Sequence, residues 1–233
     1  MQPDDQTPPD PAPTHPAWLR TVAILSIAAI CGWFIMEMEI LGSRMLAPNF
    51  GSAVYVVMGS VIGVFLLSLS VGYMLGGWLS THPRSKQALG LSILVAGLWV
   101  AALPLLVDPV SEAIFGLTPD VRLGSLAASF VLFAVPTVLL GTVSPTVVRW
   151  LTTDASDSGF NAGLVFALST VASFGGCIAT AFYLVLLSLN KTLWVSGGML
   201  VLLGAVILVH GTVIGRRSVA PPAETEPLEE HTS

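Results

Sequence analysis

Six apolar stretches, each long enough to cross a bilayer, constrain this chain more than any other feature of its sequence. A hydrocarbon core of about 30 Å takes about 20 residues of helix. Runs of that kind lie near residues 19–41, 54–79, 88–107, 124–147, 162–188 and 193–214. Between them come short polar or turn-forming connections at 42–53, 80–87, 108–123, 148–161 and 189–192. Lipid offers backbone N–H and C=O groups no water to bond, so each run must satisfy them internally, as a helix does. The expected fold is an all-α integral membrane bundle of six transmembrane helices. Composition agrees. Only 10% of the residues are charged, against about 25% in soluble domains.

The acids gather at the two ends, Asp4, Asp5 and Asp10 at one and Glu224, Glu226, Glu229 and Glu230 at the other. The formal charge of −5 therefore says little about the bundle. There is no basic stripe, and nucleic acid is not an expected partner. Residues 1–17, with six prolines, predict a disordered tail, and residues 216–233 predict a second, acidic one. The first tail lacks the basic n-region of a signal peptide, so the first apolar run is expected to stay as an anchor. Cys31 and Cys177 each sit in an apolar run and read as small hydrophobes. No metal site and no cofactor is expected from their spacing. With both termini cytoplasmic, the inner side holds Arg20, Arg84, Lys86, Arg149, Arg216 and Arg217, and the outer side Arg44, Arg122 and Lys191. This positive-inside excess predicts that orientation.

Small residues predict how the helices meet. Gly59, Gly63, Ser70 and Gly77 fall within a stripe of about 40° at about 100° per helical residue. Such a stripe lets a neighbouring backbone approach closely, and it is expected to be a helix-packing seam. Gly72 and Gly76 form a second small pair, and Ala162, Ser169, Ala172, Ser173 and Gly176 a similar face on the fifth run. Pro136 and Pro145 predict kinks in the fourth. A faint internal repeat pairs Arg44 and Gly59 with Arg149 and Gly163 at nearly equal spacing. Its unit is three helices, so the second copy is inverted in the membrane.

Ionisable residues next to a bilayer each need a reason. Counted from Leu19, Glu37 lies about 27 Å along its helix, which predicts a place near the outer edge of the core. Neither Glu37 nor Glu39 stands three or four residues from Arg44, the spacing of a good intrahelical ion pair. Partners are expected on other helices, Arg122 above all. Glu37, Glu39, Arg44 and Arg122 are thus expected to form an ion network tying helix ends together, or alternatively to bind a cationic solute or relay protons. Arg149 suits a helix C-terminus at the inner face. Tyr55 and Trp150 suit interfacial belts. His210 has no second ligand at helical spacing. The glycine pairs follow no strand and are not phosphate-binding loops, and no hydrolase, zinc-protease or nucleotide fingerprint occurs, so no catalytic residue is assigned.

Three ordered blocks resemble the membrane domain of the fused major-facilitator/spermidine-synthase-like proteins of bacteria. The first is Glu39-Ile40-Leu41-Gly42-Ser43-Arg44 with Leu46-Ala47-Pro48, Phe50-Gly51, Gly72-Tyr73 and Gly76-Gly77. The second is Gly141 to Pro145 with Arg149. The third is Ala167-Leu168-Ser169-Thr170. The resemblance covers roughly residues 20–214 and implies a bundle like one half of a major-facilitator transporter, in the bacterial cytoplasmic (inner) membrane. In that family a soluble aminopropyltransferase-like domain often follows, whereas here an 18-residue tail from Arg216 is expected in its place, so none of its active-site residues is carried over. The connection after Gly77 keeps Arg84 and Lys86 but lacks the aspartate common there in major-facilitator proteins.

Two functions are therefore expected. One is a non-catalytic membrane module that anchors or partners a separate aminopropyltransferase-like enzyme. The other is a transporter of small solutes, polyamines or other cations, working as a homodimer or with another membrane subunit.

Overall fold

The computed structural model describes residues 17–50, 54–118, 120–152 and 155–217. All regular structure among them is helical: α1 (Ala17–Phe50), α2 (Val54–Ser80), α3 (Ser85–Leu117), α4 (Val121–Gly141), α5 (Val143–Leu151), α6 (Ser158–Phe182) and α7 (Leu189–Arg217), with 3-10 turns at Ala155–Asp157 and Leu184–Leu186. With α4 and α5 taken as one rod, six helical segments are long and apolar enough to cross a membrane. Most of the two expected tails lies outside the described residues, but Ala17, Arg216 and Arg217 belong to helices.

Several helices overrun the predicted connections. The first was expected to end at 41 and runs to Phe50, with Pro48 inside its last turn. Proline there leaves one carbonyl without a donor, and packing offsets that cost. Phe50 is buried and stacks on Phe115 with ring centroids 4.8 Å apart. Asn49 donates its side-chain N–H to Ser111 Oγ at 3.1 Å. The same contacts hold the end of α3, which continues through Pro104 and Pro109 to Leu117, so the expected long connection 108–123 is mostly helix. The fourth segment, expected as one kinked helix, breaks at Thr142. Thr142 donates both its N–H and its hydroxyl to the Leu139 carbonyl, at 3.3 and 2.7 Å. Pro145 has no N–H for the Gly141 carbonyl. Upstream, Pro136 likewise deprives the Leu132 carbonyl, and Trp99 of α3 fills the gap with its indole N–H at 2.9 Å.

The main packing partners are α3 with α7, α2 with α4, and α1 with α6. Exchanging the first three segments for the last three converts the second pair into the third and returns the first to itself. The glycine contacts obey the same exchange. A β-carbon on Gly72 would lie 2.5 Å from the Val138 carbonyl oxygen, and one on Gly176 would lie 2.7 Å from that of Trp33. The register that places Arg149 on Arg44 places Val138 on Trp33, and the register that places Gly163 on Gly59 places Gly176 on Gly72. At the α3–α7 crossing, Gly90 meets Leu208 N and Gly204 O, and Gly197 meets Ala101 N and Gly97 O. Gly97 meets Val201 N and Gly197 O, and Gly204 meets Leu94 N and Gly90 O. Placing Gly197 on Gly90 turns each of these contacts into its counterpart. The described bundle therefore carries an internal inverted repeat of three helices.

The predicted seam of α2 is corrected. Gly59, Gly63 and Gly77 would have no atom within 4 Å of an added β-carbon, and Ser70 is exposed and bonded back to the Leu66 carbonyl. That stripe faces outward, and Gly72 and Gly76 make the contact with α4 instead. The face expected on the fifth run does pack inward in part, with Ser169 and Ser173 against Gly32 and Gly176 against Trp33. Gly97→Leu should lower the midpoint of thermal unfolding in detergent by about 5–10 °C, since overfilling a packed contact costs a few kcal/mol. Gly63→Leu should stay within about 2 °C of the parent. Equal losses in both variants would contradict the assignment of the two faces.

Candidate functional site

A cavity of about 110 Å³ opens between α1, α2, α6 and the α4–α5 break. On α1 it is lined by Ala28, Cys31, Gly32, Ile35 and Met36, one face of the helix. Leu69 and Tyr73 come from α2, Leu140, Gly141 and Ser144 from the break, and Phe166, Ser169, Thr170 and Ser173 from α6. The break explains part of this lining. α4 ends at Gly141, which lines the cavity wall and whose carbonyl Pro145 leaves without a helical donor. Tyr73 and Phe166 meet edge to face with ring centroids 6.3 Å apart.

The internal repeat relates part of the cavity wall to itself. In the registers given above, Ile35 and Met36 correspond to Leu140 and Gly141, and Leu69 corresponds to Ser173, all of them lining residues. These paired residues lie at the pseudo-twofold axis, while the rest of the wall is lopsided. Ser144 occupies the place that Glu39 holds in the first copy, and Thr142 the place of Glu37.

Several hydroxyls in the bundle bond back to their own helix. Ser26, Ser60, Ser70 and Ser92 each donate to a carbonyl four residues back, at 2.8 to 3.0 Å. Among the described residues, Ser144, Ser169, Thr170 and Ser173 make no side-chain hydrogen bond. Polar groups left open on an otherwise apolar wall suit a ligand with hydrogen-bonding groups of its own.

The expected ion network is not formed among the described residues. Glu37 is 2% exposed. Its carboxylate accepts hydrogen bonds from Ser196 Oγ on α7 and, at 3.2 Å, from the Trp33 indole on its own helix. Arg44 is exposed and donates to the Leu187 carbonyl at 3.4 Å. Arg122 is exposed near the start of α4, where its backbone N–H bonds the capping carboxylate of Asp120 at 2.8 Å. The four residues are drawn apart because α1 continues past Arg44 and α3 shortens the connection before Arg122. Glu37 is enclosed between helices. Val100, midway along α3, lines the same small void as Glu37 and Ser196. Glu39 is half-buried and follows Ile35 and Met36 on the face of α1 that lines the larger cavity.

Sequence reasoning did not single out Tyr73, Ser144, Ser169 or Thr170 as site residues. A signal was present, since all four fall inside blocks already noted for their pattern. Comparison with family models, curated proteins and solved structures finds no match to this chain. In a background with Cys31 and Cys177 replaced by alanine, Ser144→Cys and Ser169→Cys should react with a small water-soluble thiol reagent. Ser129→Cys, at a position 0% exposed, should not. Protection of the first two would show that the cavity is closed to water.

Proposed function

We propose that this chain is a polytopic membrane protein of the cytoplasmic membrane, one half of a translocation unit for a small polar or cationic solute held in the axial cavity. One observation carries the reading: the separate blocks that resemble the fused major-facilitator/spermidine-synthase-like proteins converge on this cavity. Tyr73 comes from the first, Gly141 and Ser144 from the second, Ser169 and Thr170 from the third. Membrane residence is supported by the outward faces. Leu66, Met74, Trp78, Val171, Phe174, Phe182, Trp194 and Leu202 are each more than half exposed, and a soluble monomer seldom leaves that much apolar surface uncovered.

Transporters of this kind alternate access by moving one repeat or bundle against another around a central site. A second copy of the chain, or another membrane subunit, supplies the opposite half. The resemblance adds a solute class, polyamines, and a second reading in which the bundle partners a separate aminopropyltransferase-like enzyme.

Proteoliposomes should take up radiolabelled putrescine or spermidine saturably. Ser144→Ala with Ser169→Ala should reduce uptake about tenfold, the effect of losing one to two hydrogen bonds. Ser26→Ala, away from the cavity, should leave it unchanged. Uptake no greater than in empty liposomes would remove the transport reading. A soluble methyltransferase-fold enzyme co-purifying with the inactive protein would then carry the partner reading.

A further inference from the structure

A second site lies apart from the axial cavity. Glu37 is buried within a void of about 10 Å³ between α1, α3 and α7, close to the volume that one water-sized species needs. Its two carboxylate oxygens take hydrogen bonds from Ser196 and Trp33. Both donors are neutral. Hydrogen bonds from neutral groups orient a carboxylate without cancelling its charge, and a buried charge without a partner is costly. Among the described residues, the other side chains lining the void belong to Phe34, Met38, Val100, Leu193 and Leu200, none of them titratable. The nearest ionisable residues along the helices that meet there are Glu39 on α1, Asp108 on α3 and Lys191 on α7, and none lines the void. The charge must therefore be balanced by something small.

The remaining oxygen donor suits that occupant. Ser196 Oγ stands beside the carboxylate. A buried carboxylate with a hydroxyl beside it offers oxygen ligands to a hard monovalent cation, and an intramembrane carboxylate also takes a proton.

We propose that Glu37 and Ser196 form a binding site for one monovalent cation, a proton or a sodium ion. The site joins the first repeat to the second, because α1 belongs to one and α7 to the other. The internal repeat gives it no twin, since Thr142 stands where the exchange would require a second Glu37. Occupation clamps α1 to α7, and release frees one repeat to move against the other.

The test uses the full chain in lipid nanodiscs without any organic solute, so it is independent of the axial cavity. Thermal unfolding and tryptophan fluorescence are followed while sodium chloride replaces choline chloride at constant ionic strength. A separate titration adds acid in sodium-free buffer. One of the two cations should raise the unfolding midpoint saturably, by about 5 °C or more at a hundredfold excess over the dissociation constant. A response to sodium at fixed pH identifies the ion, and a response to acid alone identifies the proton. Glu37→Gln should abolish the response, Ser196→Ala should weaken the apparent affinity about tenfold, and Glu112→Gln should change nothing. Absence of both responses in the parent protein overturns the proposal. So does a response that survives unchanged in Glu37→Gln or, should that variant not fold, in Ser196→Ala.

Discussion

Backbone-to-backbone contact at glycine is the interaction on which the rest of this bundle depends. Between helices in lipid the hydrophobic effect supplies little, so association relies on close packing and on polar contacts. The chain places glycines where helices cross, at Gly72 and Gly76 against the α4–α5 break, at Gly176 against Trp33, and at Gly90, Gly97, Gly197 and Gly204 between α3 and α7. At each, an added β-carbon would fall within 3.0 Å of a neighbouring backbone atom. Because these contacts, Gly76 apart, come in pairs related by the internal repeat, the same geometry is used twice and the two halves fit around a common axis. The axial cavity follows from that arrangement, since four helices approach the axis and none occupies it.

Polar groups inside the bundle are handled in two ways. Where proline removes a helical donor, a side chain can replace it, as Trp99 does for the Leu132 carbonyl. Elsewhere the groups are left open. Ser125, Ser129, Thr137 and Thr180 have buried hydroxyls with no partner, each costing about 1–3 kcal/mol when unsatisfied. Three of these lie on α4, the helix that breaks at Thr142 beside the cavity. The open hydroxyls of Ser144, Ser169, Thr170 and Ser173 differ in reaching the cavity, where a solute can meet them. Glu37 is the extreme case, a carboxylate held between two repeats by neutral donors.

Much of the fold could be read from the sequence because it depends on length and composition. The six apolar runs became six long helical segments, and the spacing of Arg44 and Gly59 against Arg149 and Gly163 anticipated a repeat that the glycine contacts then obeyed. Helix ends were less readable. Pro48, Pro104 and Pro109 look like breakers in isolation, yet contacts from Phe50, Asn49 and Ser111 keep the helices going. Helical phase revealed two small-residue stripes on α2 and could not choose between them, because the choice depends on where α4 lies. The enclosure of Glu37 was unreadable for the same reason, since it is set by what packs beside it. The cavity was hidden because its wall is assembled from four helices far apart in the chain.

Two inverted three-helix repeats around a polar axial cavity make up the central structural claim, and a solute-bound map tests it most directly. A cryo-electron-microscopy reconstruction in lipid nanodiscs saturated with spermidine should show non-protein density touching Tyr73, Ser144 and Ser169, with α1–α6 and α2–α4 packed as equivalent pairs. A cavity filled by an acyl chain or closed by side chains, or helix pairs that do not obey the exchange, would contradict it.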